Sequence, residues 1–262
     1  AAISQAGLNY SENKGLVRLL VTSDKPAQHP AFLVNEAYDS GSTSFSIPNF
    51  YATLKDIANG VSPMLQALLQ VQINNLRNQT GVDVERDLIA KLGEQVSWSH
   101  AMQAPTAPGQ VASILSQDQV FMLELQDGPG VELAINGLMG GLLGMGKSQD
   151  LFIERDYLGF KIQQFKTPIP ATDGEAERFL SYAITPKYLV ISMGGSAHLE
   201  RILQAMVKPT ASVWERPEVK AGLATTAPNP LGVQIQQMGP MVAGLIEAMV
   251  RKAGMVPGGG DM

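Results

Sequence analysis

The chain contains 262 residues, of which 45% are hydrophobic and 16% are charged, and its formal net charge is -5 with a pI of about 5.2. This length and apolar content are sufficient for one large or two smaller domains with a packed core. An acidic chain without a cluster of Lys and Arg lacks the basic surface that nucleic-acid-binding proteins use, so no nucleic acid partner is expected. The absence of Cys excludes disulfides, thiolate metal sites and cysteine nucleophiles.

The N-terminal part of the chain is predicted to alternate between short strands and helices. Residues 15–23 indicate an early strand, and the polar residues 39–42 indicate a turn that leads into a strand at 44–49. A helix is expected to begin near Asn49, a suitable N-cap. Further along, alternation around Trp98 predicts another strand.

A second helix is predicted after Gly60, where the first one is interrupted. Ser62 is a suitable N-cap, and Pro63 occupies the first helical position, where its missing N–H is tolerated. Gly81 is expected to end this helix, and Asp83 is expected to cap a shorter one. Helical spacing assigns the inner face of the longer helix to Leu65, Leu68, Leu69, Gln72 and Leu76.

A strand, a turn and a helix follow one another three times along the chain. The three units are residues 44–57, 120–143 and 231–251. Two hairpins are also predicted, at residues 151–165 and 180–192, and tight turns join antiparallel strands. The sequence therefore predicts an α+β protein of two related halves, in which antiparallel sheets carry helices on one face.

The segment 104–109, rich in Pro and Gly, marks the predicted boundary between two subdomains. An N-terminal strand and helix subdomain is assigned to residues 1–103. A C-terminal α+β subdomain with both hairpins is assigned to residues 110–256. The Gly-rich tail at 257–262 is expected to be flexible.

One stretch matches a catalytic motif letter for letter. Residues 141–148, GLLGMGKS, fit the P-loop pattern GxxxxGK[ST], in which Gly141, Gly146, Lys147 and Ser148 would form a nucleotide site. A working P-loop follows a strand and precedes a helix, whose N-terminus faces the phosphates. Here a helical pattern precedes the match and a strand pattern follows it. We therefore favour an accidental match and keep an NTP-binding enzyme as an alternative.

No arrangement of residues in the sequence points to a catalytic or metal site. His29, His100 and His198 lie far apart and have no partner at metal-ligand spacing. His198 is expected at a solvated helix start, and His100 is expected to contribute packing or polarity within a strand. No GxSxG elbow supports a serine hydrolase, although a triad assembled across the sequence stays open. We predict no catalytic residues, no metal and no cofactor.

The chain shows no stretch of roughly 18 consecutive apolar residues, so no transmembrane segment is expected within it. No signal peptide is visible, and a membrane anchor could lie outside this chain. The predicted C-terminal helix gathers Met238, Met241, Met249 and Met255. Met side chains adapt well to binding surfaces, but an apolar helical stripe is more typical of a core, which is the interpretation we prefer.

Residues 80–96 carry the pattern TGxDxxxDLxxxLGxxV, and residues 156–162 and 188–192 follow it with a hairpin turn and a strand. Over residues 31–218 this order resembles an uncharacterised family of bacterial envelope-associated proteins, a domain of unknown function. The resemblance implies an exported protein and supplies no catalytic residues. Members of that family often carry an N-terminal signal or anchor and are longer, so the resemblance also fits a C-terminal part of such a protein.

The sequence thus favours a non-catalytic interaction or scaffold protein of the bacterial periplasm or cell envelope, with a cytoplasmic location as the alternative. Sheet edges, or a groove between the two halves, would hold a protein partner or a second copy of the chain. A carrier for an apolar ligand or lipid is a further alternative. Such a carrier would need a large apolar cavity between a curved sheet and its helices.

Overall fold

The structure, a computed structural model, describes residues 2–5, 17–102, 117–143, 152–166, 179–226, 228–239, 242 and 246. The strands are β1 (Ala2–Gln5), β2 (Asp39–Ser44), β3 (Leu92–Met102), β4 (Gln117–Leu125), β5 (Phe152–Tyr157), β6 (Phe160–Lys166), β7 (Phe179–Ile184), β8 (Tyr188–Gly194) and β9 (Gly232–Gln236). The α-helices are α1 (Val17–Leu20), α2 (Ile47–Val61), α3 (Pro63–Thr80), α4 (Gly128–Leu143), α5 (Ala197–Val207) and α6 (Pro217–Leu223). A π-helical turn at Val84–Leu88 and 3-10 turns at Ile89–Lys91 and Val213–Glu215 complete these elements.

The nine strands of the described residues all belong to one antiparallel sheet in the order β1-β9-β2-β3-β4-β8-β7-β6-β5. Helices accompany this sheet, which confirms the predicted α+β class. The hairpin β5–β6 closes through Leu158 and Gly159, which both have positive φ, 52° and 84°. Positive φ at both central residues is the geometry that matches the twist of a two-residue hairpin.

The register of the strands gives the two faces of the sheet different compositions, because successive side chains point to opposite faces. One face, here called the serine face, carries seven buried serines: Ser40, Ser42, Ser44, Ser97, Ser99, Ser181 and Ser192. The other face, here called the aromatic face, carries Trp98, His100, Phe121 and Tyr182. Ring-bearing residues and small hydroxyls thus alternate along the central strands.

The main hydrophobic core lies on the serine face. Helix α5 contributes Leu199, Ile202 and Leu203, which are fully buried together with Val120 and Met122 of β4. Small serine side chains beside these residues allow the covering segments to approach the sheet closely. The core also receives residues from the loop before β2 and from the 3-10 turn at Val213–Glu215.

A second core lies on the aromatic face, beneath α4. Val131 of that helix is fully buried and clusters with Leu92, Leu125 and Leu189. Leu189 and its neighbour Val190 are both buried, each in the core of its own face. Helices therefore pack on both faces, and the prediction of helices on one face is wrong in this respect, because β4 and β8 bury apolar side chains on both sides.

The sheet runs across the predicted boundary between subdomains. β9 pairs with β2, and β3 pairs with β4, so strands from residues 1–103 and 110–256 are interleaved in one sheet. Three antiparallel pairings, β1–β9, β9–β2 and β3–β4, thus join the backbones of the two predicted subdomains, and the division itself stays a prediction. The linker 104–109 and the tail 257–262 lie outside the described residues, and the relation between two repeated halves stays a prediction.

Two predicted elements near the N-terminus differ from the structure. Residues 39–42, predicted as a turn, form most of β2 in the interior of the sheet. Part of the predicted strand at 15–23 is instead a single helical turn, Val17–Leu20. Helix α2 is capped by Ser46 rather than by Asn49, because the Ser46 hydroxyl accepts a hydrogen bond from the Asn49 N–H at 3.3 Å.

Candidate interaction surface and polar pocket

Helices α2 and α3 form a helical hairpin whose ends follow the sequence signals closely. Ser62 lies at the N-cap position of α3, although its side chain makes no capping hydrogen bond, and Pro63 is the first residue of α3, as predicted. Gly81 ends α3 with a φ of 75°, and its N–H donates to the carbonyl oxygen of Arg77 at 2.7 Å. Asp83 caps the following π-helical turn by accepting from the N–H of Arg86.

The hairpin exposes an apolar surface. No residue of α3 is buried, and seven large apolar side chains of the hairpin are 38% to 73% exposed. This set, here called the hairpin surface, consists of Leu54, Val61, Met64, Leu65, Leu68, Leu69 and Val71. The predicted inner face of α3 is wrong at Leu65, Leu68 and Leu69, because the described residues place no sheet against them. Contiguous exposed apolar patches on soluble domains mark interaction sites.

The two helices that carry the hairpin surface contain few charged residues. Helix α3 contains one charged residue, Arg77, and helix α2 contains two, Lys55 and Asp56. Each of the three is paired with a residue outside the hairpin: Arg77 with Asp83 at 3.4 Å, Lys55 with Glu85 at 2.7 Å and Asp56 with Arg18 at 3.3 Å. The remaining polar residues of α3 are mostly Gln and Asn. The exposed apolar groups are therefore accompanied by few charges, and each of these charges has an ion-pair partner outside the hairpin.

A pocket of 440 Å³ lies between α4 and the outer strands β5, β6 and β7. Its size falls within the range of roughly 300–1,000 Å³ that is usual for small-molecule sites. The lining residues are Glu132, Asn136, Glu154, Gly159, Phe160, Lys161, Gln163, Tyr182 and Ile184. Polar and charged side chains dominate this lining, so the pocket is unlike the apolar cavity that a lipid carrier would need.

Hydrogen bonds fix the polar groups at one side of the pocket. The Gln163 amide nitrogen donates to the Glu154 carboxylate, and the Lys161 ammonium donates to the same carboxylate at 3.1 Å. These two bonds, with the Lys161 charge, hold the pKa of Glu154 below its ordinary value. Tyr182 has a raised pKa, first because burial disfavours the phenolate and then because Glu154 and Glu132 are nearby.

A second polar cluster lies on the aromatic face around Asp39. Its carboxylate accepts hydrogen bonds from His100 Nδ1 at 3.1 Å, from Gln234 Nε2 at 3.0 Å and from Trp98. Burial opposes ionisation of Asp39, but these hydrogen bonds and the His100 charge outweigh it and lower the pKa of the carboxyl. His100 Nε2 is buried and has no hydrogen-bond partner among the described residues.

The three histidines occupy separate environments. His29 stacks on Trp214 with ring centroids 4.5 Å apart, His100 lies on the aromatic face, and His198 lies on the serine face. His198 is fully buried, so the prediction of a solvated helix start is wrong, because the first turn of α5 directs His198 and Leu199 into the interior. Within the described ranges, no group of three or more His, Asp or Glu residues is placed to hold a metal ion.

The P-loop match does not have the surroundings of a nucleotide site where the structure describes it. Gly141 belongs to the last turn of α4, so the helix precedes the match. The next described residues after the match form the strand β5. Gly146, Lys147 and Ser148 lie outside the described residues. The described order of helix and then strand is the reverse of the order that a P-loop requires.

Sequence reasoning missed both polar clusters. Asp39 and His100 are brought together by the pairing of β2 with β3, and Glu154, Gln163 and Tyr182 by the pairing of β5, β6 and β7. The pairing of the strands places these residues together, and the sequence has no local motif that indicates it.

In the parts of the chain described here, no helix is both long and apolar enough to span a membrane. Comparisons with known protein families, curated proteins and solved structures find no match to this chain.

Proposed function

We propose that this chain is a non-catalytic interaction protein whose hairpin surface binds the same surface of a second copy. The observation that carries the proposal is the set of seven exposed, large apolar side chains on α2 and α3. A symmetric dimer uses one patch twice, so the patch must be compatible with itself. An uncharged apolar surface meets this condition because it places no like charges opposite each other.

The size of the hairpin surface is adequate for a dimer. With 18 residues and a rise of about 1.5 Å per residue, α3 is roughly 27 Å long. A face as long as α3 and as wide as two packed helices, about 20 Å, measures roughly 540 Å² per copy and about 1,100 Å² for the pair. Specific interfaces bury at least about 1,000 Å² in total. Two hairpins that face each other would form a four-helix bundle.

A membrane surface is a poorer occupant for the same helices. Helices that lie in a membrane interface carry Lys and Arg on their polar face, where they attract anionic lipid headgroups. Here Lys55 and Arg77 are engaged in ion pairs, and the remaining polar positions of α3 are mostly Gln and Asn. The whole chain is acidic, with a net charge of -5, which disfavours anionic lipid.

The outer edge of the sheet is also a poorer binding site than the hairpin. Strand β5 is at the end of the sheet, and it carries Glu154, Arg155 and Asp156 in succession. Charged side chains on an edge strand oppose the addition of another strand. The continuous sheet leaves no groove between halves among the described residues. The envelope location remains part of this proposal and is supported by the sequence resemblance alone.

Sedimentation-velocity ultracentrifugation over a concentration series tests the proposal. We expect a concentration-dependent dimer that the double variant Leu65→Glu, Leu68→Glu converts to monomer. Burying one Leu contributes about 1.5–3 kcal/mol, and in a symmetric dimer each substituted position occurs twice. The double variant is therefore expected to weaken dimerisation at least about 100-fold. The matched control is the double variant Gln70→Glu, Asn74→Glu, which changes exposed polar residues of the same helix.

Circular dichroism of each variant would verify that the fold is retained. A wild-type chain that stays monomeric up to high concentration would refute self-association through this surface. An equal loss of dimer in the Gln70 and Asn74 variant would show that added charge, rather than the apolar surface, controls association.

A further inference from the structure

We propose that the pocket between α4 and strands β5 to β7 binds an organic cation with N–H donors, namely a primary ammonium or a guanidinium on a short aliphatic stem. This inference is independent of the dimer, because the pocket uses no residue of the hairpin surface. The ligand can be a free amine, or the side chain of a Lys or Arg in a partner protein.

The sheet register builds one wall of the pocket. Glu154, Gln163 and Tyr182 are directly opposite one another on adjacent strands, so their side chains line up across the aromatic face. Helix α4 supplies Glu132 and Asn136, which are four residues apart and therefore share a face of the helix. A carboxylate, an amide and a phenol thus stand on rigid strands, and a second carboxylate faces them from the helix.

A buried acceptor at this wall has no donor. Gln163 is 8% exposed, and its Oε1 has no hydrogen-bond partner among the described residues. The orientation of the amide is determined by its neighbour, because the Glu154 carboxylate can only accept and so must face the NH₂ group. Buried polar atoms are usually satisfied, so an unpaired acceptor on a residue that lines a pocket indicates a ligand with a donor.

The charge of the lining indicates a cation. Two carboxylates, Glu132 and Glu154, line the pocket with one ammonium, Lys161. Lys161 is hydrogen-bonded to Glu154, and Glu132 has no ion-pair partner among the described residues. The raised pKa of Tyr182, caused mainly by burial and further by both carboxylates, agrees with a negative potential at the phenol. An anion would be repelled from the same place.

The other residues that line the pocket favour an organic cation that carries an aliphatic chain. Tyr182 and Ile184 offer an aromatic ring and an aliphatic side chain beside the acceptors. Ring faces attract ammonium and guanidinium groups, and apolar side chains pack against methylene groups. A bare divalent metal ion would need several oxygen ligands in close geometry, whereas the donors of an ammonium can be shared between Glu132 and Gln163.

Isothermal titration calorimetry of the full chain with 1,5-diaminopentane and with agmatine tests the site. We expect saturable binding of both amines, no binding of the neutral 1,5-pentanediol and no binding of glutarate. Glu132→Gln is expected to weaken binding of the amines about 10-fold or more, because it removes the unpaired carboxylate. Gln163→Met, which keeps the shape but removes the acceptor, is expected to weaken it as well.

The matched control is Glu218→Gln, which removes an exposed carboxylate on α6 outside the pocket and should leave amine binding unchanged. A capped peptide, acetyl-Ala-Lys-Ala-amide, distinguishes the two sources of the cation. Tighter binding of 1,5-diaminopentane identifies a free amine, and tighter binding of the peptide identifies a side chain of a partner. No saturable binding of any amine, equal binding of glutarate, or unchanged binding in Glu132→Gln would overturn the proposal.

Discussion

Removal of the buried His198 imidazole should change how the stability of this protein depends on pH. His198 is fully buried under α5, and its Nε2 lies 2.9 Å from the Ser99 hydroxyl. Burial, followed by the charges of Arg201 and His100, lowers the pKa of His198 to about 3 from an ordinary value of 6.5. The folded protein therefore keeps this ring neutral at pH values where the unfolded chain protonates it.

The sign and size of the effect follow from proton linkage. Below pH 6.5 the unfolded state binds a proton at His198, and the folded state does not until the pH approaches about 3. Stability is therefore complete above pH 6.5 and declines as the pH falls through this window. Each pH unit corresponds to about 1.4 kcal/mol, so the loss from His198 between pH 7.5 and pH 5 is on the order of 2 kcal/mol.

Urea unfolding of the wild type and of His198→Gln at pH 7.5 and pH 5, followed by circular dichroism, measures this term. Gln can keep a hydrogen bond to Ser99 but does not titrate, so the variant should lose on the order of 2 kcal/mol less than the wild type across this range. Gln204→Ala, at an exposed position of α5, is the control and should retain the wild-type pH dependence. Equal pH dependence in His198→Gln and the wild type would refute the assignment of a neutral, desolvated His198.

Further predictions concern the interior of the sheet and the hairpin. Gly41→Ala should lower the free energy of unfolding by about 1–3 kcal/mol, because a Cβ there would overlap the Trp98 ring and lie 2.6 Å from the carbonyl oxygen of Val233. Gly60→Ala in α2, where a Cβ meets nothing within 4 Å, should instead raise it by about 0.5–1 kcal/mol in the same urea titration. Asp39→Asn should cost about 1–3 kcal/mol at pH 7, since the buried hydrogen-bond cluster loses its negative charge and one of its two acceptor oxygens. The wild type should lose this extra stability as the pH falls through the lowered pKa of Asp39, whereas Asp39→Asn should show no such loss. If the stability of both proteins fell in parallel with acid, the lowered pKa of Asp39 would be contradicted.

Local signals in the sequence determined the ends of many elements. The Ser62–Pro63 pair placed the start of α3, and Gly81 placed its end, because both depend on backbone geometry within one turn. The β5–β6 hairpin with Gly159 at its turn followed from alternation on both sides of a short polar segment. These features involve neighbours in the chain, so the sequence could predict them without knowledge of the tertiary structure.

Burial was decided by the tertiary structure, because it depends on which distant segment covers a residue. Residues 39–42 have the composition of a turn, but they belong to β2, which lies between β9 and β3 inside the sheet. The serines of β2 are buried, and their small size leaves room for the segments that cover this face of the sheet. Trp98 of β3 lies over Gly41, so the glycine that suggested a turn instead accommodates an indole ring. Helix propensity and pattern gave α3 an inner face, but the fold leaves Leu65 and Leu68 exposed.

The candidate sites were likewise beyond the sequence alone. Cross-strand register aligned Glu154, Gln163 and Tyr182, and α4 brought Glu132 to face them. The sequence could supply these residue types and the strands that carry them. The sequence could not supply the pairing order of nine strands, in which the last strand, β9, enters between β1 and β2. The strand order is a non-local property, because it depends on how both faces of the sheet are buried. The strand order in turn determines which polar side chains lie next to each other.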